Sequence, residues 1–176
     1  MRLFHLSDLH IGKRVNEFSM IEDQKYILER ILDLAEKEMS DGVILAGDIY
    51  DKQIPSAEAV QVFDEFITKL AERKLPVFVI SGNHDSAERL AFGGRLLNSR
   101  GIYLSPVYDG TVMKIPIADQ YGTVWIHLLP FIRPAAVRRV FEDESDLITD
   151  VQSAVRAVIS HMEIDPNERN ILVAHQ

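Results

Sequence analysis

Cysteine is absent from this sequence of 176 residues, which excludes disulfides and thiolate metal sites and fits a reducing, cytoplasmic setting. Long apolar runs are absent too, since none approaches the roughly 20 residues that a membrane helix requires. The opening Met1-Arg2-Leu3-Phe4-His5 lacks the apolar segment and cleavage site of a secretory signal, so no membrane partner is expected. Basic residues are scarce. Nineteen Lys and Arg face 27 Asp and Glu, a net charge of −8, whereas a protein that holds nucleic acid by its own field is usually basic. Non-specific DNA affinity is therefore expected to be weak unless cations or a partner supply positive charge. That does not exclude a nuclease whose acidic site is offset by divalent ions. Repeats, low-complexity segments and flexible linkers are also missing.

What remains is an ordinary globular composition, 47% hydrophobic and 26% charged, in a length that suits one domain with a sizeable core. Arg2 to Ser7 reads as a strand. Ser19-Met20-Ile21-Glu22 reads as a capping box, followed by helical spacing of Ile21, Leu28, Ile31, Leu32 and Ala35 as far as Met39. Val43 to Ala46 is a second buried strand. Pro55-Ser56 opens another helix capped by Ser56, with Val60, Phe63, Phe66, Ile67 and Leu70 on one face. Val77 to Ile80 is a third strand. This alternation predicts a parallel sheet with right-handed crossovers.

The second half reads differently. A helix is expected over 90–98, and short strands over 102–104, 110–115 and 124–129, with turns at Asp109-Gly110 and Tyr121-Gly122. A helix over 147–162 carries Ile148, Val151, Val155, Val158 and Ile159 on its apolar side, and 170–174 forms a final strand.

Three of these strands exit into polar clusters: Asp8-x-His10, Gly47-Asp48-x-x-Asp51 and Gly82-Asn83-His84-Asp85. A fourth exits into His175. In a parallel sheet the carboxyl ends share one edge, so the clusters can converge. Carboxylates gathered that closely repel one another unless a cation sits among them. Two divalent ions about 4 Å apart, bridged by one carboxylate, would use such a ligand set and could act on a phosphate. With only oxygen and imidazole donors, manganese, magnesium, iron or zinc would suit.

Each cluster has a plainer reading. Asp8 and His10 could be a turn and a surface histidine, and Asp48 and Asp51 an ordinary cap and turn. Repetition of one chemistry at three successive strand exits is what favours a metal site. His5, His127 and His161 read instead as hydrogen-bonded structural residues. Lys13, Arg14, Lys52 and Arg89 lie just beyond the motifs and read first as solvated surface, with phosphate contact as the alternative.

The three clusters, in this order, resemble the signature of the calcineurin-like metallophosphoesterases. Flanking residues narrow the resemblance to the SbcD-type DNA-repair exonucleases within that family. These are Arg2-Leu3-Phe4-His5-Leu6-Ser7-Asp8-Leu9-His10-Ile11-Gly12, Gly47-Asp48-Ile49-Tyr50-Asp51 and Leu129-Pro130-Phe131-Ile132-Arg133-Pro134. The resemblance runs from Met1 to Gln176. It implies an α/β fold of two central mixed sheets flanked by helices. It gives Asp8 and His10 to a first metal, Asp48 to a bridge, and Asn83 and His175 to a second metal. It makes His84 the catalytic histidine, with Asp85 orienting it and Asp51 in a supporting role.

The resemblance further implies two manganese ions, with magnesium as the alternative, a DNA substrate, an SMC-like ATPase partner of the SbcC type, and a homodimer built through helices in the 57–98 region. It also implies a later Gly-His-x-His motif giving one ligand to each metal, which this sequence does not contain. Residues 1–176 are accordingly expected to be a C-terminally truncated phosphoesterase domain without its DNA-capping domain, its metals under-coordinated and its activity low or absent. The function expected of the family type is exonucleolytic, and possible endonucleolytic, cleavage of DNA in break or hairpin processing. Two rival readings are a phosphoesterase for a small diester or monoester and a non-catalytic scaffold of the same fold.

Overall fold

The computed structural model describes residues 1–176. The chain begins with β1 (Leu3–Leu6), then a two-stranded ribbon of β2 (Arg14–Val15) and β3 (Phe18–Ser19), then α1 (Ile21–Lys37). β4 (Gly42–Ala46), α2 (Ala57–Glu72) and β5 (Val77–Ile80) follow. Two single-turn helices, α3 (Ala87–Leu90) and α4 (Gly94–Leu97), and a 3-10 turn (Asn98–Arg100) lead into β6 (Ile102–Leu104). The remainder is β7 (Met113–Asp119), β8 (Gly122–Leu128), α5 (Pro134–Val140), a 3-10 turn (Glu142–Leu147), α6 (Val151–Ser160) and β9 (Arg169–Val173).

β1, β4, β5 and β6 form one sheet in that order, and every pair in it is parallel. A second sheet has the order β7-β8-β9, with β7 antiparallel and β9 parallel to β8. The expectation of two mixed sheets is thus corrected for the first. Each of its neighbours is reached by a crossover containing helix, which returns the chain in the same direction.

Strand alternation sorts the core. Val43, Leu45, Val77 and Val79 face α1 and α2 and join Leu28, Leu32, Val62, Phe66 and Leu70. The alternate residues Ile44, Ala46, Phe78 and Ile80 face the second sheet and meet Ile115, Val124, Ile126, Leu128 and Val173. Burial on both faces is why β4 and β5 are uninterrupted apolar runs. Each such large side chain stabilises the fold by roughly 1.5–3 kcal/mol on burial. A third core, including Leu129, Ile132, Val137, Ile148 and Val158, gathers around α5 and α6.

Several local expectations are revised. The Ser19 capping box does not form. Ser19 is paired with Arg14 in the ribbon, and Met20 becomes the residue before α1, without a side-chain cap. Ser56 does cap α2, accepting from the Ala59 N–H at 3.2 Å. Val60 is 44% exposed, and Ala59 and Val62 take its place on the buried face. The helix expected over 90–98 is broken by Gly93, whose φ of +76° lies in the left-handed region.

The strand expected over 110–115 begins only at Met113 and runs on through Pro116. Proline is tolerated there because β7 is an edge strand. The helix expected over 147–162 shortens to Val151–Ser160, starting from an Asp150–Ser153 capping box. Val151 and Ile159 on it are exposed, while Ala154, Ala157 and Val158 are buried. His127 is buried against Asn170, and His161 stacks on Phe141 and approaches Glu144, both structural as expected. His5 stands exposed on β1.

Candidate metal centre

β1, β4 and β5 run parallel, so the turns after Leu6, Ala46 and Ile80 emerge on one edge of the sheet. The turns are knitted together by their backbones. The Asp8 N–H donates to the Gly47 carbonyl at 3.2 Å, and the His10 N–H to the Asp48 carbonyl at 2.9 Å. Asp8, His10 and Asp48 all have positive φ, at 57°, 43° and 50°. Left-handed backbone is uncommon outside glycine and clusters at functional sites, although Asp and His tolerate it better than most residues. This bend turns the three side chains off the strand direction and into a shared space.

Asp48 is the hub. It is 3% exposed, and its Oδ1 accepts from the His84 N–H at 2.9 Å. Its Oδ2 lies 3.7 Å from His10 Nε2 and 3.5 Å from His175 Nε2. Two sets of donor atoms, each within 4.8 Å of one another, share it: Asp8, Asp48 and His175, and His10, Asp48 and His84. Asp48 is common to both sets, with His175 beside Asp8 in one and His84 beside His10 in the other.

Two of the rings are anchored by backbone carbonyls. His175 Nδ1 sits 2.8 Å from the Ala46 carbonyl and His84 Nδ1 sits 3.0 Å from the Asp51 carbonyl. A carbonyl only accepts, so each Nδ1 carries the proton. Each Nε2 then faces the cluster with a lone pair free in the neutral ring, the arrangement found in metal-ligating histidines. His10 meets His84 edge-on with ring centroids 4.7 Å apart, and its own Nδ1 is buried without a hydrogen-bond partner. Lone pairs, clustered carboxylates and an orphaned imidazole nitrogen fit a hard or borderline divalent cation.

The remaining expected residues are placed as follows. Asn83 is exposed on the rim with no side-chain hydrogen bond. Asp51 gives the His84 ring its carbonyl, and its carboxylate stands 3.9 Å from His10 Nδ1. Asp85 does not contact the His84 ring. Its buried carboxylate accepts instead from the N–H groups of Gly82, Ile49 and Tyr50, at 2.9, 3.1 and 2.9 Å. The support expected of Asp85 is therefore given to the Asp48 turn and not directly to the histidine.

Electrostatics follow the contacts. The Ser7 hydroxyl, bonded to the Asp8 carboxylate, holds that carboxyl below its ordinary range. The Asp51 carbonyl raises the His84 imidazole. Burial raises Asp85, opposed by its three backbone donors.

Sequence reading missed Gln24. From α1 its amide donates to the carbonyls of Leu9 and His10, at 3.0 and 2.8 Å, while its oxygen accepts from the Gly12 N–H at 3.0 Å. It also missed Gln176, which bridges the Pro130 carbonyl and the Ile132 N–H. A glutamine clamping loop backbone leaves no periodic signal. Two glycines are fixed by the site as well. A Cβ on Gly82 would lie 2.2 Å from Asp48 Oδ1, and one on Gly47 2.6 Å from His175 Cγ.

The profile of the calcineurin-like phosphoesterases matches residues 1–176. The chain is 35% identical over 178 aligned residues to the SbcD component of the SbcCD nuclease of Staphylococcus epidermidis, covering 99% of this chain and 46% of that protein. It is 33% identical to the SbcD component of the same nuclease in Staphylococcus saprophyticus, with the same coverage. The chain thus spans just under half the length of these curated relatives. With the match extending over every residue described, the chain belongs to the calcineurin-like phosphoesterase family.

Proposed function

We propose that this chain carries the catalytic centre of a divalent-metal phosphodiesterase acting on DNA, with two manganese ions as its cofactor. The observation that carries the reading is Asp48, one buried carboxylate shared by two sets of donors. Asp8 and His10 would complete the ligand field on one side, and His175 and Asn83 on the other. The bound cations would neutralise the phosphate, polarise its oxygens and lower the pKa of water.

The protein's own groups supply the rest. His84, raised by the Asp51 carbonyl and open on its Nε2 side, can hold a proton for the departing oxygen. Asp85 keeps the Asp48 turn rigid, and Asp51 fixes the ring that carries the proton. The exposed Lys13, Arg14 and Lys52 at the mouth could follow a phosphate backbone.

The similarity to the SbcD component of the SbcCD nucleases supports DNA as substrate and an SMC-like ATPase of the SbcC type as partner. Phe92 and Leu96, 87% and 80% exposed beside α3 and on α4, support a homodimer face. No helix is long and apolar enough to cross a membrane.

One observation favours a second reading. The net charge of −8 suits a small phosphodiester or monoester better than a polyanion. Turnover of a diester dye, a monoester dye and linear DNA with manganese separates the two. Any turnover, slow in residues 1–176, is expected to fall on DNA and the diester dye and to be lost in Asp48→Asn, and turnover of the monoester dye alone would sink the nuclease reading.

A further inference from the structure

The apolar stripe of α1 is interrupted once. Ile21, Leu28, Leu32 and Ala35 are buried at helical spacing, and Gln24 falls in the same stripe, one turn after Ile21 and one turn before Leu28. A half-buried amide among core residues costs free energy unless its polar atoms are partnered. Here they are. The Gln24 amide nitrogen donates to the Leu9 carbonyl at 3.0 Å and the His10 carbonyl at 2.8 Å, and its Oε1 accepts from the Gly12 N–H at 3.0 Å. Two acceptors and one donor around a single amide fix which end is nitrogen.

What these bonds hold is the backbone of His10 itself. The Leu9 carbonyl stands just before the φ of His10 and the His10 carbonyl just after its ψ, so one amide gripping both fixes the two torsions between them. In extended backbone successive residues face opposite sides, and such a pair would not share one donor group. His10 instead has a φ of 43°, in the left-handed region that is uncommon outside glycine. No other protein group bonds to the Leu9 carbonyl or the Gly12 N–H, while the His10 carbonyl also accepts from the Lys13 N–H at 3.0 Å. On the other side of the loop, the N–H groups of His10 and Ile11 donate to the carbonyls of Asp48 and Ile49, both at 2.9 Å. The turn after β4 thus sets where His10 stands, and α1 sets which way its side chain leaves the backbone.

We infer that Gln24 is a positioning residue of the metal centre, holding His10 in left-handed backbone so that its Nε2 stands 3.7 Å from Asp48 Oδ2. The value of that aim rests on the divalent-metal reading, whereas the clamp does not. Without the amide, His10 relaxes towards negative φ, and its imidazole swings out of the donor set formed with Asp48 and His84. A cation then finds the competent loop only part of the time, and its apparent affinity falls by that fraction.

Gln24→Met tests this, because methionine keeps the size, the helix propensity and the apolar stripe while removing every polar contact. In the 176-residue chain its urea midpoint is expected to stay near the wild-type value. Its metal-free Gly12 N–H should exchange with solvent roughly tenfold faster, the scale of one lost hydrogen bond. Its manganese affinity by titration calorimetry should fall roughly tenfold, at the low end for residues that orient metal ligands. Gln24→Ala should repeat both losses. Leu28→Ala hollows the same helix face without touching the loop, and should lower the urea midpoint while leaving the manganese affinity of the folded protein unchanged. Wild-type manganese affinity in both Gln24 variants, unchanged Gly12 exchange, or an equal loss of affinity in Leu28→Ala overturns the inference. If the wild-type chain binds no manganese, the metal reading fails by itself and Gly12 exchange decides the clamp: faster in Gln24→Met it stands, unchanged it falls.

Discussion

Gly47 and His175 are packed so tightly that no side chain fits between them: a Cβ on the glycine would lie 2.6 Å from the imidazole Cγ and 2.7 Å from its Nδ1. Gly47 also has a φ of +85°. The backbone term alone makes Gly47→Ala unfavourable by about 1–2 kcal/mol. The larger effect is displacement of His175 from the Ala46 carbonyl. Urea unfolding is expected to show the stability loss, and manganese calorimetry a weakened site. Wild-type metal affinity in this variant would show that His175 contributes nothing.

Asp85 is 6% exposed and satisfies three backbone donors. Asp85→Ala leaves those N–H groups buried and unpaired, at a cost on the order of 3 kcal/mol. Asp85→Asn, which keeps an acceptor oxygen, costs less. The His84 ring is held by Asp51 and not by Asp85, so the histidine's NMR titration midpoint is expected to move little in Asp85→Asn. A large displacement would restore the direct orienting role.

Asp48 belongs to both donor sets, whereas Asp8 and His10 each belong to one. Asp48→Asn is therefore expected to abolish the rise in melting temperature that manganese produces by binding the folded state. His10→Ala should retain part of that rise. Chelation with EDTA should return wild-type protein to the Asp48→Asn value, and scanning calorimetry reads all three.

The pH dependence of stability can be followed away from the centre. Asp119 receives both arms of the Arg169 guanidinium, at 2.6 and 3.1 Å, and the Met1 amine at 3.1 Å. Arg169 first, then the Tyr121 N–H, hold its carboxyl far below the ordinary range. A depressed carboxyl stabilises the fold above its unfolded pKa of about 3.9 and loses that contribution as pH falls through the lower folded value. The stability gap between wild type and Asp119→Asn should thus be constant above about pH 4 and close below it. Urea titrations at pH 7 and pH 3 check the sign.

The first half of the fold was legible because β4 and β5 are buried on both faces and bounded by glycine and proline, leaving unbroken apolar runs. The second half was not. Pro116 disguised β7, and Gly93 split a helix whose spacing looked continuous. That polar clusters stand at strand exits was legible. The orientation of the imidazoles was not, because it depends on which carbonyl anchors each ring, Ala46 for His175 and Asp51 for His84. Nor could composition reveal that Asp8, His10 and Asp48 adopt left-handed backbone.

The hydrogen bond from His175 to the Ala46 carbonyl spans 129 positions of sequence. Closing so long a loop is entropically expensive and slow, and it yields nothing until both sheets have docked. During synthesis Asp8, His10 and Asp48 leave the ribosome long before His175. In a nascent or half-folded chain Asp48 therefore lacks the imidazole that stands beside it in the folded protein. The meeting of these two side chains is thereby made a late event of folding, arriving only with global topology.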